Sequence, residues 1–445
     1  MAAPPTVALT PALSERACAL SFEDLPDDVV ELARDALTDW FAVALAGSCE
    51  EAPRILLAAL GGGDVDGEAT VIGHALGLPA KDAALVNGTA SHVLDFDDVN
   101  LLLPGHVSAA VLATALALAE RIDATGAELL TAFVAGYETA CRVALAIGRG
   151  PYQRGFHATG TIGTFGAAAA CARLLRLGAG DTAVALGIAA SEAAGLKCNM
   201  GTMTKSLHAG RACEAGLLAA DLAARGFTAS AAAIEAEQGF AAVSGGDCDV
   251  QAALAEAPRG GWHLRGNLFK HHASCWFTHS AIEGIREHDA AAANVRRVVL
   301  HVSEVELGAC VIPAPVSGLE VKFSIAHLAA MALLGRDTTT IGDAAASDQD
   351  AVALRELVVL EPDGEAGAPT RVEIELDGGK TLTAERDVNE PESDAASRRV
   401  RLHKKFETLV TPVLGGDPAN VLLEALAAVE HTHVRELLAA ASGVS

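Results

Sequence analysis

A short polar loop between two alanine-rich, helix-like segments groups residues that could transfer protons. Asp95, Asp97, Asp98 and His106 all lie in this loop. Carboxylates beside an imidazole can set the imidazole pKa near neutrality, which suits acid–base catalysis. The same residues also fit a solvated acidic helix end followed by a surface histidine. The loop therefore raises an enzymatic hypothesis without deciding it.

Two glycine-bearing segments further along the chain each place a candidate group at a predicted helix start. His157 follows Gly155-Phe156 and precedes a glycine-rich run, where free backbone amides attract carboxylates. Lys205 and His208 are three residues apart and share one helical face. If Thr204 caps that helix, Lys205 lies in its first turn and opposes the helix dipole, which favours an anionic partner. The alternatives are a histidine cap and a surface lysine.

The segment 269–279 is dense in residues that can bind metals or anions. It contains Lys270, His271, His272, Cys275 and His279. Their spacing matches no structural zinc pattern, so we predict no metal and prefer an anion-binding segment that begins at Lys270. A buried hinge is the alternative.

Composition limits the classes of partner and compartment. The chain has 445 residues, half of them hydrophobic and few aromatic, and a formal net charge of −25. The charge disfavours nucleic acid and anionic membranes as partners, and favours a local basic pocket for any small anionic substrate. Nine cysteines without paired spacing indicate reduced thiols, and the first residues show no secretory signal. We expect a cytoplasmic protein.

The order of predicted elements indicates a mainly α fold with an inserted α+β lid. Helical patterns dominate to about Gly261, including a capping box at Thr125. Residues 295–302 and 371–383 then alternate as strands, the latter around an Asp-Gly-Gly turn that predicts a hairpin, and helix returns near Arg398. We predict a helical domain of residues 1–267 and 397–445, and an α+β lid of residues 268–396.

Four segments in this order resemble the MmgE/PrpD family, which includes 2-methylcitrate dehydratase, cis-aconitate decarboxylase and iminodisuccinate epimerase. They are Asp95-Phe-Asp-Asp98 with Gly105-His106, Gly155-Phe-His157, Gly201-x-x-Thr-Lys205 with His208, and Phe269-Lys270. The resemblance implies an all-helical domain with an α+β lid, usually a homodimer. It also implies acid–base chemistry on a small di- or tricarboxylate, with no metal and no organic cofactor.

The resemblance also assigns roles to positions of this chain. It implies that His157, Lys205, His106 and His327 are catalytic, with His157 as the main acid or base and Lys205 or His327 on the opposite face. It implies that the substrate is bound by Asp95, His208, Lys270 and Cys275.

Departures from the family pattern influence which reaction is expected. Val99 stands where threonine or serine is usual, Val107 where proline is usual, and Cys275 where the decarboxylases have a histidine. The length of the loop from Asp95 to His106 resembles the dehydratase and epimerase branches. We therefore expect a hydro-lyase similar to 2-methylcitrate dehydratase. The alternatives are an epimerase of an iminodisuccinate-like dicarboxylate, a cis-aconitate-type decarboxylase, and a non-catalytic dimer that binds a polycarboxylate.

Overall fold

The computed structural model describes residues 8–62, 67–288, 290–363 and 368–442. Its first part is helical, with one two-stranded antiparallel ribbon of β1 (Ala69–Thr70) and β2 (Gly77–Leu78). The helices are α1 (Leu9–Ala19), α2 (Asp27–Ser48), α3 (Glu51–Ala59), α4 (Ala80–Val93), α5 (Val107–Arg121), α6 (Gly126–Ile147), α7 (Gly150–Gln153), α8 (Ala158–Leu174), α9 (Ala179–Glu192), α10 (Met203–Ala224), α11 (Phe240–Ser244) and α12 (Val250–Leu254).

The second part mixes helices with one four-stranded sheet, and the chain then returns to helix. The sheet contains β3 (Val295–Val302), β4 (Val358–Pro362), β5 (Arg371–Leu376) and β6 (Thr381–Glu385). The helices are α13 (His279–Arg286), α14 (Glu304–Ala309), α15 (Gly318–Val321), α16 (Ile325–Leu333), α17 (Asp343–Ala346), α18 (Gln349–Arg355), α19 (Ala395–Leu414), α20 (Gly416–Ala427) and α21 (Val434–Ala441). The predicted fold class, mainly α with a smaller α+β part, is confirmed.

Strand order in the sheet is β4-β3-β5-β6, with β3 and β4 parallel and the other neighbours antiparallel. β5 and β6 form the hairpin that the Asp-Gly-Gly turn predicts, with Arg371 opposite Glu385. Gly378 and Gly379 both have positive φ, 86° and 84°, a conformation that costs other residues steric strain.

Two hydrophobic cores divide the molecule. The larger core combines side chains from residues 9–273 with side chains from residues 402–441, so both ends of the chain share it. The smaller core lies within residues 275–374. The exact domain limits stated above remain predictions.

Small residues let the central helices approach closely. A Cβ added to Gly88 of α4 would lie 2.6 Å from Cys213 Sγ and 2.9 Å from Gly210 Cα on α10. A side chain there would force the two helices apart, since packed interiors leave little room for displacement. α4 and α10 carry residues of the candidate site, so this contact also sets the distance between them.

Among the described residues, one helix, α6, is long and apolar enough to cross a membrane by composition, but 94% of the relevant window is buried inside the protein. It begins with the predicted capping box, in which Thr125 accepts a hydrogen bond from the Glu128 amide. Tyr137 on this helix is fully buried and donates to Asn267 Oδ1. The helix is therefore a core element of the helical part.

Candidate active site

The loop between α4 and α5 is held by three buried lysines from distant parts of the chain. Three consecutive backbone carbonyls accept one lysine each: Leu94 O from Lys322 Nζ at 2.8 Å, Asp95 O from Lys270 Nζ at 2.9 Å, and Phe96 O from Lys405 Nζ at 2.6 Å. Asp95 has φ +52°, in the left-handed region that non-glycine residues seldom occupy. The lysines therefore stabilise a backbone conformation that would be costly in isolation.

The Asp95 carboxylate lies between two ammonium groups. Its Oδ1 is 2.7 Å from Lys270 Nζ and 3.0 Å from Lys205 Nζ. Burial by itself would raise the pKa of Asp95, but the two lysines hold it well below its usual value. The carboxylate is therefore ionised, and the local balance of two ammonium groups against one carboxylate is positive.

His92, Asp97 and His106 form a second buried group, here called the imidazole–carboxylate cluster. Asp97 Oδ2 is 2.8 Å from His92 Nδ1 and 3.1 Å from His106 Nδ1. Burial lowers the pKa of His106, more strongly than Asp97 raises it. Burial also lowers the pKa of His92, to about 3. Both rings are therefore neutral, with Asp97 orienting them.

His157 precedes α8, as predicted, and points its ring towards His92 and His208. Its ring stacks on that of His92 with centroids 5.7 Å apart, and its Nδ1 is 3.1 Å from His208 Nδ1. Burial, followed by the neighbouring His92 and Lys205, lowers the pKa of His157 well below its usual value. A neutral imidazole of this kind donates a proton from one ring nitrogen and accepts one at the other.

Lys205 is in the first turn of α10, although the helix begins earlier than predicted. The N-cap is Thr202, not Thr204, and Thr202 Oγ1 donates to the Asn199 carbonyl. Only 6% of Lys205 is exposed, and its Nζ has no hydrogen-bond partner among the described residues despite the ion pair with Asp95. A buried ammonium with donors to spare is suited to receive an anion.

Asp95, His106, His157 and Lys205 line a cavity of about 50 Å³ between the helical part and the lid. Its polar side consists of Asp95, His106, His157, Lys197, Lys205 and Cys275. Its apolar side includes Val99, Leu101, Met200, Trp276, Phe277 and Phe323. The apolar wall strengthens electrostatic interactions at the polar side, because it excludes water.

A larger cleft of about 270 Å³ shares Trp276 with this cavity and is bordered by His271, Glu283 and Arg401. It contains none of the ionised groups around Asp95. We therefore place the candidate site in the smaller cavity, where the charged and imidazole groups converge.

The structure brings five of the eight predicted site residues to the cavity: Asp95, His106, His157, Lys205 and Cys275. Lys270 is fully buried behind Asp95, and its Nζ is bound by Asp95 Oδ1, Asp95 O and Ser274 O. With its donors satisfied, Lys270 orients Asp95 and does not face the cavity. His208 likewise lies behind His157 and outside the lining.

His327 is not brought to the site. It is fully buried in α16, where its Nε2 is 2.9 Å from the Ala345 carbonyl, and it is not among the residues that line the cavity. The expectation that His327 acts on one face of the substrate is therefore not supported by its position. The helical phase of α16 directs the ring towards the neighbouring segment of the lid.

The sequence interpretation missed four groups: His92, Lys197, Lys322 and Lys405. His92 belongs to the same segment as Asp95, and its position in the last turn of α4, five residues before Asp97, was the available signal. Lys322 and Lys197 gave no such signal, because their partners, Leu94 and Tyr152, are far away in sequence. Lys197 Nζ lies 3.7 Å from the centre of the Tyr152 ring, at the cavity edge.

In the histidine-rich lid segment, His272 and His279 are hydrogen-bonded to other groups of the protein. His272 contacts Glu283 and Thr338, and His279 contacts the Ser274 carbonyl. Within the described ranges, the three-residue group that could hold a metal is the imidazole–carboxylate cluster. There, both imidazoles approach the same Asp97 oxygen at hydrogen-bond distances, an arrangement that orients the rings without an ion. The absence of a metal remains a prediction.

Comparison with known proteins decides the family. The MmgE/PrpD N-terminal domain matches residues 11–253, and the MmgE/PrpD C-terminal domain matches residues 272–431. The chain belongs to the MmgE/PrpD family. The two matched ranges include every residue that lines the cavity, whereas Lys270 falls between them.

Similar proteins include several named as cis-aconitate decarboxylases. The human protein of that name is 32% identical over 274 residues, 58% of this chain and 56% of its own length. The Aspergillus terreus protein is 27% identical over 340 residues, 71% of this chain and 69% of its own length. The cis-aconitate decarboxylase-like protein oryM of Aspergillus oryzae is 33% identical over 214 residues, 46% of this chain. The matches to the human protein and oryM cover about half of each relative's length.

Proposed function

We propose that this protein is an acid–base lyase that decarboxylates a small unsaturated polycarboxylate of the cis-aconitate type, without a cofactor. The observation that carries the proposal is the buried Lys205 ammonium, which has no hydrogen-bond partner among the described residues and faces a cavity also lined by two histidines. The relatives named as decarboxylases favour this reaction over the dehydration expected from the sequence.

The chemistry requires a place for negative charge and a source of a proton. When the bond between a substrate carbon and its carboxylate breaks, carbon dioxide leaves. The electron pair of that bond stays on the substrate carbon and is delocalised towards a neighbouring carboxylate. Lys205 would stabilise that charge. Lys205 and Lys270 together carry more positive charge than the single Asp95 carboxylate neutralises, which makes the polar wall attractive to an anion. The carbon then takes a proton from His157 or His106 at the cavity wall.

Neutral imidazoles fit this role. Burial keeps the pKa values of His157 and His106 below the usual histidine value. Each ring can therefore donate one N–H proton, and the carbanion is a far stronger base than the carboxylates from which it forms. Orientation of His106 by Asp97, at 3.1 Å, reduces the rearrangement needed for transfer.

A dehydratase of the 2-methylcitrate type is the second candidate. Cys275 lines the cavity at a position where the family resemblance implies a histidine in decarboxylases, and Val99 adds an apolar group to the same lining. These residues remove hydrogen-bonding groups that a decarboxylase site would use. An epimerase and a non-catalytic polycarboxylate-binding dimer remain the further alternatives, and the homodimer itself is part of this proposal.

A substrate panel followed by NMR tests the proposal. Purified protein is incubated in D2O with cis-aconitate, 2-methylcitrate and an iminodisuccinate-type dicarboxylate. We expect loss of a carboxylate and incorporation of one deuterium with cis-aconitate or a close analogue. Water elimination without loss of carbon dioxide would favour the dehydratase. Epimerisation would favour the isomerase, and binding without any change would favour the non-catalytic reading.

A further inference from the structure

His208 lies directly behind His157, on the side away from the cavity. The two Nδ1 atoms are 3.1 Å apart, with ring centroids separated by 5.3 Å. His157 is 2% exposed and lines the cavity, whereas His208 is 9% exposed and does not line it. The pair therefore connects the cavity wall with a more accessible position on α10.

The free nitrogens of the two rings face opposite surroundings. Among the described residues, neither His157 Nε2 nor His208 Nε2 has a hydrogen-bond partner, and neither is among the fully buried unpartnered atoms. His157 lines the cavity, and because its Nδ1 is paired with His208, Nε2 is the nitrogen that can face the cavity. His208 does not line the cavity, so its Nε2 lies outside it. Two Nδ1 atoms at this distance share a single hydrogen, so one ring donates and the other accepts.

We propose that His208 supplies protons to His157, donating from Nδ1–H to His157 Nδ1 and so keeping the Nε2–H of His157 directed into the cavity. His208 is thus a positioning residue that acts through His157, and it does not bind substrate as the sequence had suggested. This inference rests on the proposed decarboxylation, because that reaction consumes one proton per turnover.

The proton balance closes through the pair. The carbon–carboxylate bond breaks, carbon dioxide leaves, and the electron pair on carbon takes the Nε2 proton of His157. His157 Nδ1 takes the Nδ1 proton of His208, and His208 Nε2 takes one proton from water at the outer side. After product release, His157 returns its Nδ1 proton to His208 Nδ1 as Nε2 recovers a proton from cavity water, and His208 Nε2 releases its proton to the outer side. Over a whole cycle the proton taken up at the outer side is released there again, so the proton of the product is drawn from cavity water, and His208 supplies its proton to His157 only during the transfer step.

Burial and the nearby Lys205 keep both rings neutral, so the pair can pass a proton and neither histidine is permanently protonated. Lys205 is the charged group that acts on His208, while His92, Lys205, His208 and His106 act on His157. Burial, followed by Lys205, lowers the pKa of His208, and the same influences are stronger at His157. Both rings are therefore neutral at rest, which lets the proton move in either direction.

Three variants separate proton supply from positioning alone. His208→Asn retains an amide N–H near the Nδ1 position but cannot pass a proton on, and His208→Phe removes both functions. His431→Asn, at a side chain that is 79% exposed, is the matched control. We expect kcat to fall about 100-fold in both His208 variants, with KM changed by less than about threefold, unchanged melting temperatures and an unaffected control.

A wild-type kcat in His208→Asn would show that only the hydrogen bond matters and would overturn the relay. A rise in KM with constant kcat would instead return His208 to substrate binding.

A ¹⁵N NMR spectrum of histidine-labelled protein tests the pair without turnover. We expect His157 to be protonated at Nε2, with its signal changed in His208→Phe. Protonation of His157 at Nδ1 would overturn the inference. Failure of the protein to decarboxylate any substrate, with the expected NMR result, would refute the proposed function while leaving the pairing intact.

Discussion

Replacing Lys205 by methionine should abolish most activity while leaving the fold intact. Its Nζ is buried, 3.0 Å from Asp95 Oδ1, and has no hydrogen-bond partner in the described part of the chain. A substrate carboxylate about 4 Å from this ammonium would interact with it by about 4 kcal/mol at an effective dielectric constant of about 20. At about 1.4 kcal/mol for each factor of ten, we expect kcat/KM to fall about 10³-fold.

Lys270 offers a matched comparison because it pairs with the same Asp95 oxygen. Lys205→Met leaves Asp95 paired with Lys270 at 2.7 Å, so we expect a change in the free energy of unfolding of less than about 2 kcal/mol. Lys270→Met strands the carbonyls of Asp95 and Ser274 in a buried site, and we expect it to cost about 3–5 kcal/mol. Steady-state kinetics and urea unfolding measure both. A Lys205→Met enzyme within tenfold of wild-type kcat/KM would refute the role of Lys205.

Three further outcomes follow from the protonation states. His157→Gln should reduce kcat/KM by about 100-fold or more, by the same factor at about pH 6 and pH 8, since wild-type His157 is neutral throughout; a ratio that varies with pH would contradict this. Burial raises the pKa of Asp98 from 3.8 to about 7, so its contribution to stability is present below about pH 4 and is lost as pH rises to about 7. Asp98→Asn should therefore flatten that part of the pH dependence in urea unfolding, and an unchanged slope would disprove the assignment. Chelator treatment should leave kcat unchanged, because in the imidazole–carboxylate cluster Asp97 is hydrogen-bonded to His92 and lies 3.1 Å from His106 Nδ1; loss of activity restored by one added metal would show otherwise.

Local signals in the sequence predicted much of the fold. The β5–β6 hairpin followed from an Asp-Gly-Gly turn, whose positive φ values only glycine accommodates at low cost. The start of α6 followed from the Thr125 capping box. By contrast, capping residues alone did not locate the start of α10, because two threonines lie close together there and the helix uses Thr202.

The candidate site was predictable where motif and helix start coincide. His106 and His157 both immediately precede helices, and Lys205 is in a first turn, so their side chains point from helix ends into one cavity. Long-range partners were not predictable. Lys322 binds the Leu94 carbonyl across 228 residues, and nothing in either segment indicates that pairing.

His327 shows the limit of a position inferred by resemblance. Its place in the sequence indicated a site residue, but the direction of a helical side chain depends on the phase and packing of its helix. In α16 the ring meets the Ala345 carbonyl. A role at the site would require a shift of that helix, and the packing of the buried Leu328 and Ala329 in the smaller core opposes such a shift.

The most direct test of the account follows labelled cis-aconitate in D2O. The substrate carries ¹³C in each carboxylate in turn, and NMR records carbon dioxide and product together. We predict that one labelled carboxylate appears as carbon dioxide with wild-type protein, that one deuterium enters the product, and that Lys205→Met slows both processes by the same factor. Release of water with all carboxylates retained, or equal rates for wild type and Lys205→Met, would contradict it.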